Sequence, residues 1–295
     1  MTGSLREQLP IDPRQQLRRQ RLHAGRRASV PWPWPAIFLW IFLAGWVAAT
    51  ALVVAGFEPP ARWRWAEMLF PLLAALAVLG ALTKRVPAQN AAAIAFIVLV
   101  MTGGIVTLGS ISGIPFGVIW FREHAGPLLF DRLPAWSPLW LLAILVSSRE
   151  TGRLVMQSHR KTRSYGIWIL CLGTLLAVAT DLSWEVYGVR VRSLWMWQSS
   201  ERMVCWHGTP WVNFVGWLAV SVVTLGFCTP WFINKHPVGA PSRLTPAILW
   251  ALINLHFIIG SASRGWWLEA GVGLVLTGVA AGLAWRGWRQ TVSRN

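Results

Sequence analysis

Apolar runs long enough to cross a bilayer recur along this chain, separated by short segments in which arginine is concentrated. A hydrocarbon layer ~30 Å thick needs about 18 to 20 such residues in a helix, and lipid offers no partner to an unsatisfied backbone group. Eight runs meet or approach that length, at 34–56, 66–82, 91–111, 134–148, 165–185, 211–233, 245–260 and 266–285. The expected fold is all-α: a polytopic integral membrane helical bundle of about eight transmembrane helices. The fourth run is the shortest and the weakest as a full crossing. Composition agrees. Of 295 residues, 55% are hydrophobic and only 13% charged, with a mean hydropathy of +0.48, where a soluble domain carries about a quarter charged residues.

The net charge of +16 would suit a nucleic-acid partner if it formed one surface, but it is clustered between the apolar runs. Such clusters orient a chain in the membrane and attract anionic headgroups. With both termini in the cytoplasm, eight crossings place 19 Lys and Arg inside and eight outside, as the positive-inside rule requires. Removing the fourth crossing would put the later basic loops outside. The expected location is the inner (cytoplasmic) cell membrane, with multiple passes. Seven arginines fall within the first 27 residues. Residues 1–30 read as a basic, disordered cytoplasmic tail, lacking the small-residue cleavage site of a secretory signal. Residues 31–290 read as a single membrane domain. Cys171, Cys205 and Cys228 have neither CxxC nor zinc-ligand spacing, so free thiols are expected.

This orientation collects the unusual residues on the outer side. Asp181 and Glu185 end the fifth apolar run at i,i+4, which puts both on one helix face. Ionisable groups there are costly and so candidates for function. Two carboxyl groups held close in an apolar setting favour a state in which one keeps its proton, as a general acid must. The alternative is that they cap the span and pair with Arg190 or Arg192. Downstream, Trp195-Met196-Trp197 precedes Trp206-His207-Gly208-Thr209-Pro210-Trp211, and Asn213 follows one turn into the sixth run. Asn213 needs a hydrogen-bond partner in hydrocarbon, and His207 can move protons near neutral pH. An interfacial aromatic belt accounts for many of the 22 tryptophans. Gly113-Ile114-Pro115-Phe116-Gly117 reads as a tight, re-entrant turn. Glu67 and Glu269 begin spans, where the helix dipole favours an acid. Asn254 and His256, in the seventh run, read as polar groups facing the interior of the bundle. HExxH, Walker, GxGxxG and CxxCH patterns are absent, which disfavours metal redox chemistry and nucleotide use; no metal site is expected.

Taken in order, Gly113-x-Pro115-Phe116-Gly117, the acidic pair at 181 and 185, Trp195-x-Trp197, and Gly208-x-Pro210-x-x-Asn213-Phe214-x-Gly216-Trp217 resemble a known family. It is the carotenoid biosynthesis membrane-protein family that includes the carotenoid 1,2-hydratases, the bisanhydrobacterioruberin hydratases among them. The resemblance covers about residues 100–235 and marks a divergent member. Glu185-Val186 stands where the family has Asp-Pro, and Ile119 and Phe121 stand in place of tyrosines. Trp206-His207 replaces a tyrosine pair, and a glutamate before Gly109 is missing.

The resemblance implies a cofactor-independent lyase reaction, the addition of water to the terminal isoprenoid double bond of a linear carotenoid. A carboxylic acid would protonate the less substituted carbon, and water would capture the tertiary carbocation. An indole face stabilises such a cation by about 2 kcal/mol when desolvated, and a second base would activate the water. Asp181 and Glu185 are the acid and base candidates, with His207 and Asn213 positioning water. Trp184, Trp195, Trp197 and Trp206 are candidates for the cationic subsite; Phe116, Trp211, Phe214 and Trp217 join them as substrate-binding candidates. The expected partners are membrane lipid, a hydrophobic carotenoid substrate and other carotenoid-synthesis enzymes, with no nucleic acid. The competing reading is a non-catalytic membrane protein that binds an isoprenoid lipid or organises pigment-synthesis enzymes.

Overall fold

The structure, a computed structural model, describes residues 34–198, 204–233 and 243–293. The expected tail at 1–30 lies outside these residues, as do Arg202 and Lys235 of the charge count. The fold is an all-α multi-pass membrane bundle, with eight α-helices among the described residues. They are α1 (Trp34–Val54), α2 (Leu69–Leu82), α3 (Ala88–Ser112), α4 (Ser137–Val155), α5 (Tyr165–Val186), α6 (Trp211–Phe232), α7 (Thr245–Ser263) and α8 (Trp267–Val292). A 3-10 turn, Ala61–Met68, leads into α2, and a π-helical turn, Tyr187–Val191, extends α5. Proline and glycine set several boundaries. Pro87 and Pro210 stand immediately before α3 and α6, and Pro138 and Pro246 occupy the first turns of α4 and α7, where a missing N–H costs nothing. Gly113 closes α3 in the left-handed conformation at φ +73°, the usual glycine terminus.

Among the described residues seven helices, α2 being counted with its 3-10 lead-in, are long and apolar enough to cross a membrane; α4 is not one of them. The reason is its position. Helix α4 runs through the middle of the bundle, packed on α2, α3, α5, α7 and α8. From Ser137 to Gly152 every residue but Leu139 is buried. Because its neighbours are protein and not lipid, it tolerates polar side chains. Ser147 and Thr151 donate to the carbonyls of Ala143 and Ser147 at 2.6 and 2.8 Å. Glu150 accepts from Arg149, Arg85 and Arg153 at 2.6, 2.7 and 2.9 Å, and the Arg149 guanidinium lies 3.6 Å from the Phe232 ring centre. Helices α4 and α5 cross at two glycines. A Cβ on Gly173 would come within 2.9 Å of Arg149 Cα, and one on Gly152 within 3.1 Å of Gly173 N. Small residues allow such close backbone approach in membranes.

Helix α1 is peripheral and most of its surface faces outward. Side chains four residues apart pin it to α7: Trp46 Nε1 donates to the Leu252 carbonyl at 2.6 Å, and Thr50 Oγ1 bonds His256 Nδ1 at 2.9 Å. Between the helices lie three short antiparallel strand pairs: β1 (Ile119–Phe121) with β4 (Trp195–Trp197), β2 (Leu128–Leu129) with β3 (Leu133–Pro134), and β5 (Cys205–Trp206) with β6 (Thr209–Pro210). All three arise from connections at one end of the bundle, where α3, α5 and α7 finish and α4, α6 and α8 begin.

Candidate functional site

Asp181 and Glu185 lie one turn apart on the same face of α5, 5% and 3% exposed. Opposite them, in the first turn of α6, Asn213 is fully buried. Its Nδ2 donates to Asp181 Oδ2 at 3.1 Å and to Glu185 Oε1 at 3.2 Å. One amide nitrogen thus holds both carboxyl groups within two hydrogen-bond lengths of each other. The other Glu185 oxygen accepts from Trp195 Nε1 at 3.0 Å, Trp197 Nε1 at 2.8 Å and Thr209 Oγ1 at 3.0 Å. Among the described residues, Asp181 Oδ1 and Asn213 Oδ1 are buried without a hydrogen-bond partner. Buried polar atoms of this kind are uncommon and call for a reason.

Strand geometry explains the two indoles. Residues i and i+2 of a strand project from one face, so Trp195 and Trp197 both reach Glu185 while Met196, between them, is 44% exposed. In the β1–β4 register Ile119 faces Trp197 and Phe121 faces Trp195, with outward Trp120 opposite Met196. Gly188 makes this possible, because a Cβ there would overlap the Trp195 ring.

The hairpin after β4 explains Thr209 and His207. His207 and Gly208 form its two-residue tip at φ +50° and +97°, between paired Trp206 and Thr209. Positive φ at both tip residues is the preferred geometry for so short a hairpin. The turn buries Thr209 against Glu185 and carries His207 away. His207 Nε2 instead pairs with Glu269 Oε1 at 2.5 Å, and its ring meets Trp206 and Trp266 edge-on at 4.8 and 5.4 Å. His207 therefore does not join Asp181, Glu185 and Asn213. Nor do the nearby arginines pair with the two acids: Arg192 binds Glu67, and Arg190 donates to the His207 carbonyl at 2.8 Å.

Glu185 borders a cavity with an empty volume of about 390 Å³ including its mouth, lined also by Val106, Phe116, Ile119, Phe121, Trp136, Ser137, Trp184, Trp195, Trp197, Asn213 and Trp217. Trp184, Trp136 and Trp195 pack around one another with ring centres 5.7 to 6.3 Å apart. On the other wall Phe116 stacks on Trp217 at 4.4 Å, wedged between Gly109 and Gly216. A smaller pocket of about 250 Å³ adjoins Trp184 and Trp217 and is lined by Asp181, Ser221 and apolar residues of α4 and α5. Between α3 and α6 an apolar groove, with an empty volume of about 790 Å³ including its open side, runs past Val100, Gly104, Leu108 and Val223.

Of the aromatic residues singled out in the sequence, Phe116, Trp184, Trp195, Trp197 and Trp217 line the cavity. Trp206, Trp211 and Phe214 do not: Trp206 donates to the Leu182 carbonyl at 3.2 Å, Trp211 is 45% exposed, and Phe214 packs on Trp211 at 5.3 Å. Sequence reasoning did not assign Thr209, Trp136, Ser137 or Ser221. Thr209 had one signal, a hydroxyl held between Gly208 and Pro210, but Trp136 had nothing to separate it from the other tryptophans. Of the positions where the chain departs from the resembled family, Ile119, Phe121 and Glu185 fall on the cavity wall and Trp206-His207 does not.

Residues 66–280, most of the chain, match the family described as carotenoid biosynthesis protein. The chain is similar to bisanhydrobacterioruberin hydratase of Haloarcula japonica, with 24% identity over 191 residues. That match covers 62% of this chain and 59% of the relative, so the chain spans under two thirds of the relative's length. No solved structure matches. The family match takes in the acidic pair, the indoles that bind it, Asn213 and most of the cavity wall, and on it the chain belongs to the carotenoid biosynthesis protein family.

Proposed function

We propose that the chain hydrates the terminal double bond of an acyclic carotenoid, with Asp181 as general acid and Glu185 as general base. The observation that supports this most is the unequal solvation of two adjacent carboxyl groups. Glu185 accepts from four donors, as a carboxylate does, whereas Asp181 accepts from one and keeps a buried oxygen unpartnered. Asp181 is then the group that carries the proton.

In the proposed reaction the polyene lies in the groove between α3 and α6, and its end group enters between Trp184 and Trp217. Asp181 gives its proton to the less substituted alkene carbon, and the π pair forms the new C–H bond. The tertiary cation left on the neighbouring carbon faces the rings of Trp184, Trp195 and Trp217, each such contact stabilising it by about 1–2 kcal/mol when water is excluded. A water held by Glu185 and the Asn213 carbonyl oxygen forms the C–O bond, and Glu185 takes its proton. Transfer of that proton to Asp181 restores the site. The sum is alkene plus water to tertiary alcohol, balanced without an oxidant or a cofactor.

The test is expression in a host that accumulates acyclic carotenoids, with pigments read by mass. The natural chain is expected to yield pigments one water heavier. Asp181→Asn is expected to accumulate in the membrane and give none. Hydration by Asp181→Asn at the natural rate would refute the acid assignment, and unchanged pigments with the natural chain across such hosts would favour a non-catalytic isoprenoid binder.

A further inference from the structure

A second, larger cavity lies on the far side of Trp136 and Trp184, which line both. It has an empty volume of about 1170 Å³ including its mouth, and is enclosed by α1, the 3-10 turn and α2, α4, α5 and α7. Its walls are mainly apolar and aromatic. Its polar groups are of two kinds. Arg192 and Glu67 form an ion pair, with Arg192 also donating to the Phe57 carbonyl at 3.2 Å. His256, 2% exposed, is held between Thr50 at 2.9 Å and the Tyr187 hydroxyl at 3.0 Å.

These groups define the chemistry of an occupant. The two lining charges cancel, so a neutral molecule fits and an ion does not. A neutral imidazole donates from one nitrogen and accepts at the other. If His256 donates to Tyr187, the phenol proton is free to donate; if Tyr187 donates to His256, the phenol oxygen still accepts. An alcohol satisfies either arrangement, because it both donates and accepts. The free space inside it, about 420 Å³, falls within the roughly 300–1000 Å³ of ordinary small-ligand sites, and its apolar and aromatic walls suit an apolar chain. We propose that this cavity binds a neutral isoprenoid alcohol, its hydroxyl on Tyr187 and its chain against Phe70, Trp136, Trp140 and Trp184. The product of the proposed hydration belongs to that class, a link that rests on the hydration reading; the binding itself does not.

The test is photolabelling of the full-length protein in detergent with a diazirine analogue of geranylgeraniol and with the matched hydrocarbon lacking the hydroxyl. Adducts are mapped by mass spectrometry. The alcohol probe is expected to label Phe70, Trp140 or Tyr187, and unlabelled geranylgeraniol is expected to compete. Tyr187→Phe, which keeps the ring, should lower that labelling about tenfold, the loss of one buried hydrogen bond. Ala49→Phe, which fills the cavity from α1 without touching the polar groups, should lower it as well. Equal labelling of these residues by both probes, or undiminished labelling in Tyr187→Phe, would overturn the proposal. Asp181→Asn is expected to label as the natural chain does, so the two readings fail separately.

Discussion

Replacing Glu185 with glutamine and with alanine separates chemistry from folding, because the two changes treat the same four donors differently. Glutamine keeps an oxygen for Trp195, Trp197 and Thr209 but turns an amide toward the Asn213 nitrogen. One hydrogen bond to a charged group is lost, at about 1.5–3 kcal/mol. Against a folding free energy of about 5–15 kcal/mol the chain stays folded. A missing general base lowers the rate by about 100- to 10,000-fold. Alanine instead leaves all four donors buried without an acceptor. At about 1–3 kcal/mol each the total is roughly 4–12 kcal/mol, comparable with the whole stability. The expected result is that Glu185→Gln accumulates like the natural chain and makes no hydrated pigment, while Glu185→Ala fails to accumulate. Fluorescence-detected size exclusion reads the folded amount, and pigment mass reads turnover. Full turnover by Glu185→Gln would refute the base assignment; an alanine variant as stable as the glutamine one would refute the energetic account of the four donors.

Four further outcomes are expected. Trp197→Phe removes the shortest of the indole bonds to Glu185, which should cost about 1.5–3 kcal/mol, the range for hydrogen bonds to charged groups, read as a lower melting temperature. Gly216→Ala places a methyl 2.7 Å from the Phe116 ring and 3.0 Å from the Pro115 carbonyl; overpacking of about 1–3 kcal/mol should shift Phe116 and reduce turnover more than abundance. Glu150→Ala takes the shared acceptor from three arginines and should destabilise by about 3–5 kcal/mol, while the surviving folded protein keeps its specific activity. A reporter fused after Arg163 should read out in the cytoplasm; a periplasmic signal would reverse the orientation inferred from the charge count.

The membrane bundle is legible in the sequence because lipid imposes one simple rule, and helices that touch lipid obey it along their whole length. Helix α4 is the instructive exception. Its apolar run ends near Ser147, yet the helix continues through Arg149, Glu150 and Arg153, because surrounding helices supply the partners lipid lacks. Its apolar run is the weakest of the eight, and the distribution of charge across the later loops supported it. At the site, the shared face of Asp181 and Glu185 follows from i,i+4 spacing, and the convergence of Trp195 and Trp197 from strand alternation. Thr209 reaches Glu185 and Trp136 reaches the cavity through long-range placement, which no local spacing encodes. His207 was misplaced for a local reason: His-Gly at a two-residue hairpin tip takes positive φ, which turns the imidazole outward. Arg190, in the π-helical turn, and Arg192, just after it, find partners on other segments, so the alternative pairing with the acidic pair is not the one adopted.

The ribbon formed by β1 and β4 has a consequence for how such a protein diversifies. It comes wholly from the connections after α3 and α5, and its inward residues, Ile119, Phe121, Trp195 and Trp197, shape one side of the chamber. Asp181 and Asn213, by contrast, are fixed on the helices beneath. Positions 119 and 121 carry no group of the proposed proton transfer, and their side chains pack on the core from the ribbon and not from a helix. If the chain hydrates a carotenoid as proposed, exchanging this ribbon between relatives should retune which polyene is accepted, as one replaces a die without rebuilding the press.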